Sequence, residues 1–118
     1  MKKFLILCLL LAFPINVNAK TIDMGEFKIT AYCPCDGCSE GYGRQCAMPN
    51  KCAQSEHTIA VDPSVISLGS KVKIGDTVYT AEDTGGCVCG DHIDIFFDTH
   101  EEVEDFGVHY YEVTIIRQ

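Results

Sequence analysis

Basic side chains are scarce in this chain of 118 residues. Nine Lys and Arg stand against 17 Asp and Glu, for a formal net charge of −8. They are scattered rather than clustered, which argues against a nucleic-acid partner. The same scarcity removes simple electrostatic capture of an anionic polymer, so such a polymer would have to be held by groove contacts. No apolar run reaches the roughly 20 residues of a bilayer-spanning helix, so we do not expect the chain to span a membrane. Internal repeats, low-complexity stretches and long linkers are also missing. That leaves one small domain and no room for a second.

What is present begins with an export signal. Lys2 and Lys3 precede a short apolar run from Phe4 to Phe13, and Val17-Asn18-Ala19 offers small residues for cleavage. We expect residues 1–19 to be a signal peptide and residues 20–118 a single secreted domain. Cys8 would be lost with the signal, and the net charge would fall by the two lysines.

The remaining chain has strand periodicity. Phe27, Ile29 and Ala31 alternate with Lys28, Thr30 and Tyr32, which predicts a half-buried strand. Further short strands are predicted over 58–61, 71–74, 77–81, 93–97 and 110–116, with a tight turn at Gly75-Asp76. One helix is expected. Thr99 is its N-cap, Glu102 completes a capping box, Val103 and Phe106 form its apolar stripe, and Gly107 stops it. Short strands with one short helix suggest a small closed barrel, because an open sheet would leave exposed edges. Residues 33–56 are polar, cysteine-dense and without periodicity, so they read as a long loop that needs cross-links.

Seven cysteines follow Cys8: Cys33, Cys35, Cys38, Cys46, Cys52, Cys87 and Cys89. In a small exported domain disulfides are the default. They would pin the loop, and one thiol would be left over. The rival reading is a structural zinc site, since Cys33, Cys35 and Cys38 have ligand-like spacing. A redox role for Cys35 and Cys38 lacks the surrounding βαβ pattern.

Three carboxylates attract attention: Asp62 before Pro63, Asp83 before Thr84-Gly85-Gly86, and Asp94 in Ile93-Asp94-Ile95-Phe96-Phe97. Strand alternation puts Ile93, Ile95 and Phe97 on one face and Asp94 on the other. A half-buried Asp94 would have its charged form disfavoured, which is what a general acid near neutral pH requires. The plainer reading is that these aspartates cap turns. His92 shares the face of Asp94 and could shift its pKa, although a solvated strand residue is the simpler assignment. Asp83-Thr84-Gly85 also spells the aspartic-protease tripeptide, but Glu82 interrupts the apolar approach, and a tripeptide alone is weak evidence.

Taken in series, Ile59-Ala60-Val61-Asp62-Pro63, Glu82-Asp83-Thr84-Gly85-Gly86, Ile93-Asp94-Ile95-Phe96-Phe97-Asp98-Thr99-His100-Glu101 and Phe106-Gly107 resemble the 3D (three-aspartate) domain family. The opening Thr30-Ala31-Tyr32-Cys33-Pro34-Cys35 is similar to its secreted members. The resemblance implies a mainly β fold, a six-stranded double-psi β-barrel. It implies a lytic transglycosylase that cleaves the MurNAc–GlcNAc bond of peptidoglycan to 1,6-anhydro products, at the cell wall and without a cofactor. Asp94 would be the acid/base, Asp83 and Asp62 its supports, and Thr84, Gly85 and Gly86 substrate contacts. The chain departs from the pattern after Gly86, where Cys87-Val88-Cys89-Gly90-Asp91-His92 lacks the family's usual lysine and arginine. That departure motivates an alternative, a non-catalytic glycan-binding module.

Overall fold

The computed structural model describes residues 20–117. The expected signal segment and its Cys8 lie outside the described residues. Six strands close into a barrel: β1 (Lys20–Tyr32), β2 (Thr58–Ala60), β3 (Lys71–Ile74), β4 (Thr77–Asp83), β5 (His92–Phe96) and β6 (His109–Arg117). The order around the barrel is β1-β5-β2-β4-β3-β6. Pairs β1–β5 and β2–β4 are parallel and the other pairs antiparallel. The expected strands are thus all present. β1 is longer than its alternation suggested, because its first half pairs with β6 and its second half with β5. A register shift between Asp23 and Gly25 bends it, and Gly25 takes a φ of 86° there.

Closure separates two apolar cores. The barrel interior holds Phe27, Ile29, Ile59, Val61, Val72, Ala81, Ile93, Ile95 and Val113. A second cluster forms on the outer face from Tyr32, Cys46, Ala53, Ala60, Val88 and Phe96. Residues 33–56 cover that face. They are less irregular than expected, since a one-turn helix α1 (Asp36–Ser39) follows Cys35 as its N-cap. Gln45 and Cys52 also form an isolated bridge. Four residues are too few to show a period, so the pattern predicted one helix where the described residues hold two.

Among the described residues no disulfide holds this segment. All seven described cysteines are free thiols. Backbone hydrogen bonds tie it down instead, from Met48 N to the Glu82 carbonyl at 3.1 Å and from Glu56 N to the Phe96 carbonyl at 2.9 Å. Arg44 stacks over the Phe96 ring at 5.3 Å and meets Asp98 at 2.9 Å. Beyond β5, the predicted helix is α2 (His100–Phe106), with Thr99 and Glu102 in a reciprocal capping box. Phe106 packs on Phe97 and on His109, which returns the chain to β6.

Candidate functional site

The outer face carries a cleft of about 1040 Å³ between residues 37–47 and the turn after β4. Asp83, Asp94, His92, Thr84, Gly85 and Gly86 all line it. Asp94 reaches it because β5 keeps Ile93 and Ile95 in the barrel and turns the alternate side chains outward. Asp83 arrives by a different device. Ile59 pairs with Ala81 but Ala60 pairs with Asp83, so the β2–β4 register slips by one residue at Glu82. Without that slip Asp83 would follow Ala81 into the barrel. Ala60 pairs with Asp94 on its other side, so it separates the two carboxylates.

The two aspartates are held differently. Asp83 Oδ2 accepts from the Tyr32 hydroxyl at 2.8 Å, and its Oδ1 accepts from the backbone N–H of Ala47 and of Thr84, both at 2.9 Å. Three donors hold that carboxyl in one orientation. Asp94 has one bond among the described residues, from the Thr30 hydroxyl to Oδ1 at 2.9 Å. Burial raises its pKa above the ordinary carboxylate value. The Thr30 bond and nearby His92 oppose that shift, and the charge of Asp83 adds to it. The Tyr32 phenol is raised further, chiefly by burial and then by Asp83.

His92 is half-buried and bonded, so the simpler assignment of a solvated strand residue is corrected. Its Nε2 lies 2.7 Å from the Thr30 hydroxyl and its Nδ1 lies 3.2 Å from the Cys87 carbonyl. A carbonyl only accepts, so Nδ1 carries a proton. Thr30 has one hydroxyl proton for two neighbours. Thr30 thus sits between the two groups, donating to Asp94 Oδ1 at 2.9 Å and in hydrogen-bond contact with the imidazole on its other side.

Asp62 does not line the cleft. Its Oδ2 accepts from Gly90 N at 2.8 Å, and its Oδ1 accepts from the N–H and hydroxyl of Ser64 at 3.0 and 2.7 Å. The Gly90 and Ser64 bonds lower its pKa. It anchors the loop that enters β5. Glu40, from the covering segment, spans the cleft and accepts from Gly86 N at 3.0 Å. No lysine or arginine lines the cleft among the described residues.

The profile of the 3D domain matches residues 57–117, more than half of the chain. The chain belongs to the 3D domain family. Two Bacillus subtilis (strain 168) relatives contain matching stretches. Cell wall-binding protein YocH is 39% identical over 88 residues, covering 74% of this chain and 30% of YocH. Putative cell wall shaping protein YabE is 36% identical over 92 residues, covering 76% of this chain and 22% of YabE. The chain thus spans less than a third of either relative. Among solved structures, the crystal structure of MltA from E. coli aligns with a TM-score of 0.52 at 19% identity, over 65% of this chain and 28% of that one. That likeness is one of fold.

Sequence reasoning missed four side chains in and around the site: Thr30, Tyr32, Glu40 and Glu82. Thr30 and Tyr32 had a signal, since both stand on the outward phase of β1. Glu40 had none. Buried Glu82 accepts from Thr58 Oγ1 at 2.8 Å and steadies the register slip.

Proposed function

We propose that this 3D domain is an exported, cell-wall-associated lytic transglycosylase. Its substrate would be the peptidoglycan glycan strand, cut at the MurNAc–GlcNAc bond. One observation carries the reading: Asp83 is saturated by three donors, whereas half-buried Asp94 keeps an oxygen free toward the cleft. Hydrolysis generally uses two working carboxyls, one as acid and one as nucleophile or base. Here one is free to work. A single acid/base suffices when the nucleophile is tethered to the sugar.

Protonated Asp94 gives its proton to the glycosidic oxygen as the C1–O bond breaks. Positive charge develops on the sugar, and the oriented carboxyl of Asp83 stabilises it. The sugar's own C6 hydroxyl then attacks C1, and its proton returns to Asp94. The product is a 1,6-anhydro end, and the enzyme is restored. Thr30 holds the carboxyl in line, while Thr84, Gly85 and Gly86 offer backbone contacts along the strand. Asp62 supports the site at one remove, by anchoring the loop through Gly90.

Purified sacculi digested with the protein should release muropeptides bearing the anhydro mass. Ordinary reducing ends would replace this mechanism with hydrolysis. A second reading is favoured by the cleft's lack of cations and by the printed names of both relatives, cell wall-binding and cell wall shaping. It is a glycan-binding module without catalysis. Sacculus pull-down with no soluble product, unchanged in Asp94→Asn, would select it.

A further inference from the structure

At the rim of the cleft, whose lining includes Cys38, four ligand atoms converge. The Sγ atoms of Cys33, Cys35 and Cys38 and a ring nitrogen of His100 lie within 4.8 Å of one another. His100 Nδ1 stands 3.7 Å from Cys33 Sγ, 3.8 Å from Cys35 Sγ and 3.5 Å from Cys38 Sγ. Two of the thiols, Cys33 and Cys35, are 3.3 Å apart. We propose that these four residues hold a structural zinc ion.

The three nitrogen–sulfur distances suit a shared ion. With Zn–S near 2.3 Å and Zn–N near 2.0–2.1 Å, a tetrahedron spaces sulfur and nitrogen by about 3.6 Å and sulfur and sulfur by about 3.8 Å, so Cys33 and Cys35 would part slightly around the metal. Their 3.3 Å separation does not suit a disulfide, whose sulfurs sit about 2.05 Å apart. Three thiols also cannot pair among themselves without leaving one over. Three sulfurs with one imidazole select zinc over magnesium or calcium. Four protein ligands leave no open position, so the role is structural.

The surroundings are built for ligation. The Cys38 N–H points at Cys35 Sγ at 3.4 Å, as an amide supports a bound thiolate. On the far side of the imidazole, His100 Nε2 faces Glu104 Oε2 at 3.5 Å, one helical turn along α2. A carboxylate there fixes the tautomer and leaves Nδ1 for the metal. The ion would clip the end of β1 to the start of α2. It would also brace α1, whose next residue, Glu40, spans the cleft.

The test is elemental analysis of the protein purified under reducing conditions without chelator. Roughly one zinc per chain is expected, replaceable by cobalt(II) with a thiolate charge-transfer band and tetrahedral d–d bands. Cys35→Ser and His100→Ala should lose the zinc. Cys52→Ser, an exposed thiol outside the cluster, and His100→Cys should keep it. Glu104→Gln should weaken zinc affinity about tenfold in competition with a chelator. If the ligand variants fail to fold, the cobalt spectrum of the unaltered protein still decides. Metal-free protein, a disulfide among Cys33, Cys35 and Cys38 by mass spectrometry, iron in place of zinc, or zinc retained in His100→Ala would each overturn the proposal.

Discussion

At the scale of single residues, two aspartates of the cleft differ in how they are held, Asp83 by three donors and Asp94 by one. Asp94→Asn removes the proton donor while keeping the shape, so turnover should fall by roughly 10²–10⁴-fold with the fold intact. Anhydro-muropeptide release and a thermal melt together check this. The neighbours then set the pH response. The proposed reaction begins from protonated Asp94, so its rate should fall as pH rises through the raised pKa. Asp83 adds to that elevation and His92 opposes it. Asp83→Asn should therefore shift the alkaline limb to lower pH, and His92→Gln should shift it to higher pH. Opposite shifts distinguish electrostatic tuning from general damage, which would lower the plateau without moving the limb. Shifts of the same sign, or none, would remove both residues from the account of Asp94.

At the scale of elements, the predictions concern how short pieces of chain are held. The capping box of α2 is an isolated test, because the Thr99 side chain accepts from Glu102 N while Glu102 reaches back. Thr99→Ala should cost about 1 kcal/mol. For a domain of this size that lowers the melting temperature by about 4–8 °C. The turn after β4 is tighter. A Cβ at Gly85 would lie 2.9 Å from Val88 Cγ2, and one at Gly86 would lie 3.4 Å from Glu40 Oε1. Gly85→Ala should lose about 1–3 kcal/mol through overpacking. Adding Val88→Ala should recover part of it, and a double-mutant cycle measures the coupling. These elements also show what a sequence can and cannot reveal. The box was legible because Thr99 and Glu102 are three residues apart and act locally. Asp94 was legible because β5 alternates without interruption. Asp83 obeyed no such rule: its outward position depends on a register slip against β2, a non-local event. His100 joins Cys33, Cys35 and Cys38 across more than sixty positions of sequence, so spacing suggested three ligands and only the fold supplied the fourth.

At the scale of the whole molecule, the barrel carries two carboxylates whose protonation pulls on stability in opposite directions. Asp94 has a folded pKa raised above its unfolded value. The folded state then binds more protons than the unfolded state between those values, so stability falls as pH rises through them. Asp94 thus favours folding fully below its unfolded pKa and loses that contribution as pH climbs through the folded one. Asp62 is the reverse. Its folded pKa is lowered by the Gly90 and Ser64 bonds, so its contribution is present above the unfolded pKa and lost as pH falls through the folded one. Thermal melts between about pH 3 and pH 8 should separate the two. Asp94→Asn should melt higher than the unaltered protein at neutral pH and approach it in acid. Asp62→Asn should melt lower at neutral pH, and its deficit should shrink in acid. The stabilised Asp94→Asn protein should at the same time be the inactive one, because the buried carboxyl that weakens the fold is the one the proposed chemistry needs. An Asp94→Asn protein that melts lower at neutral pH would mean the carboxylate stabilises this barrel, and burial would no longer account for its raised pKa.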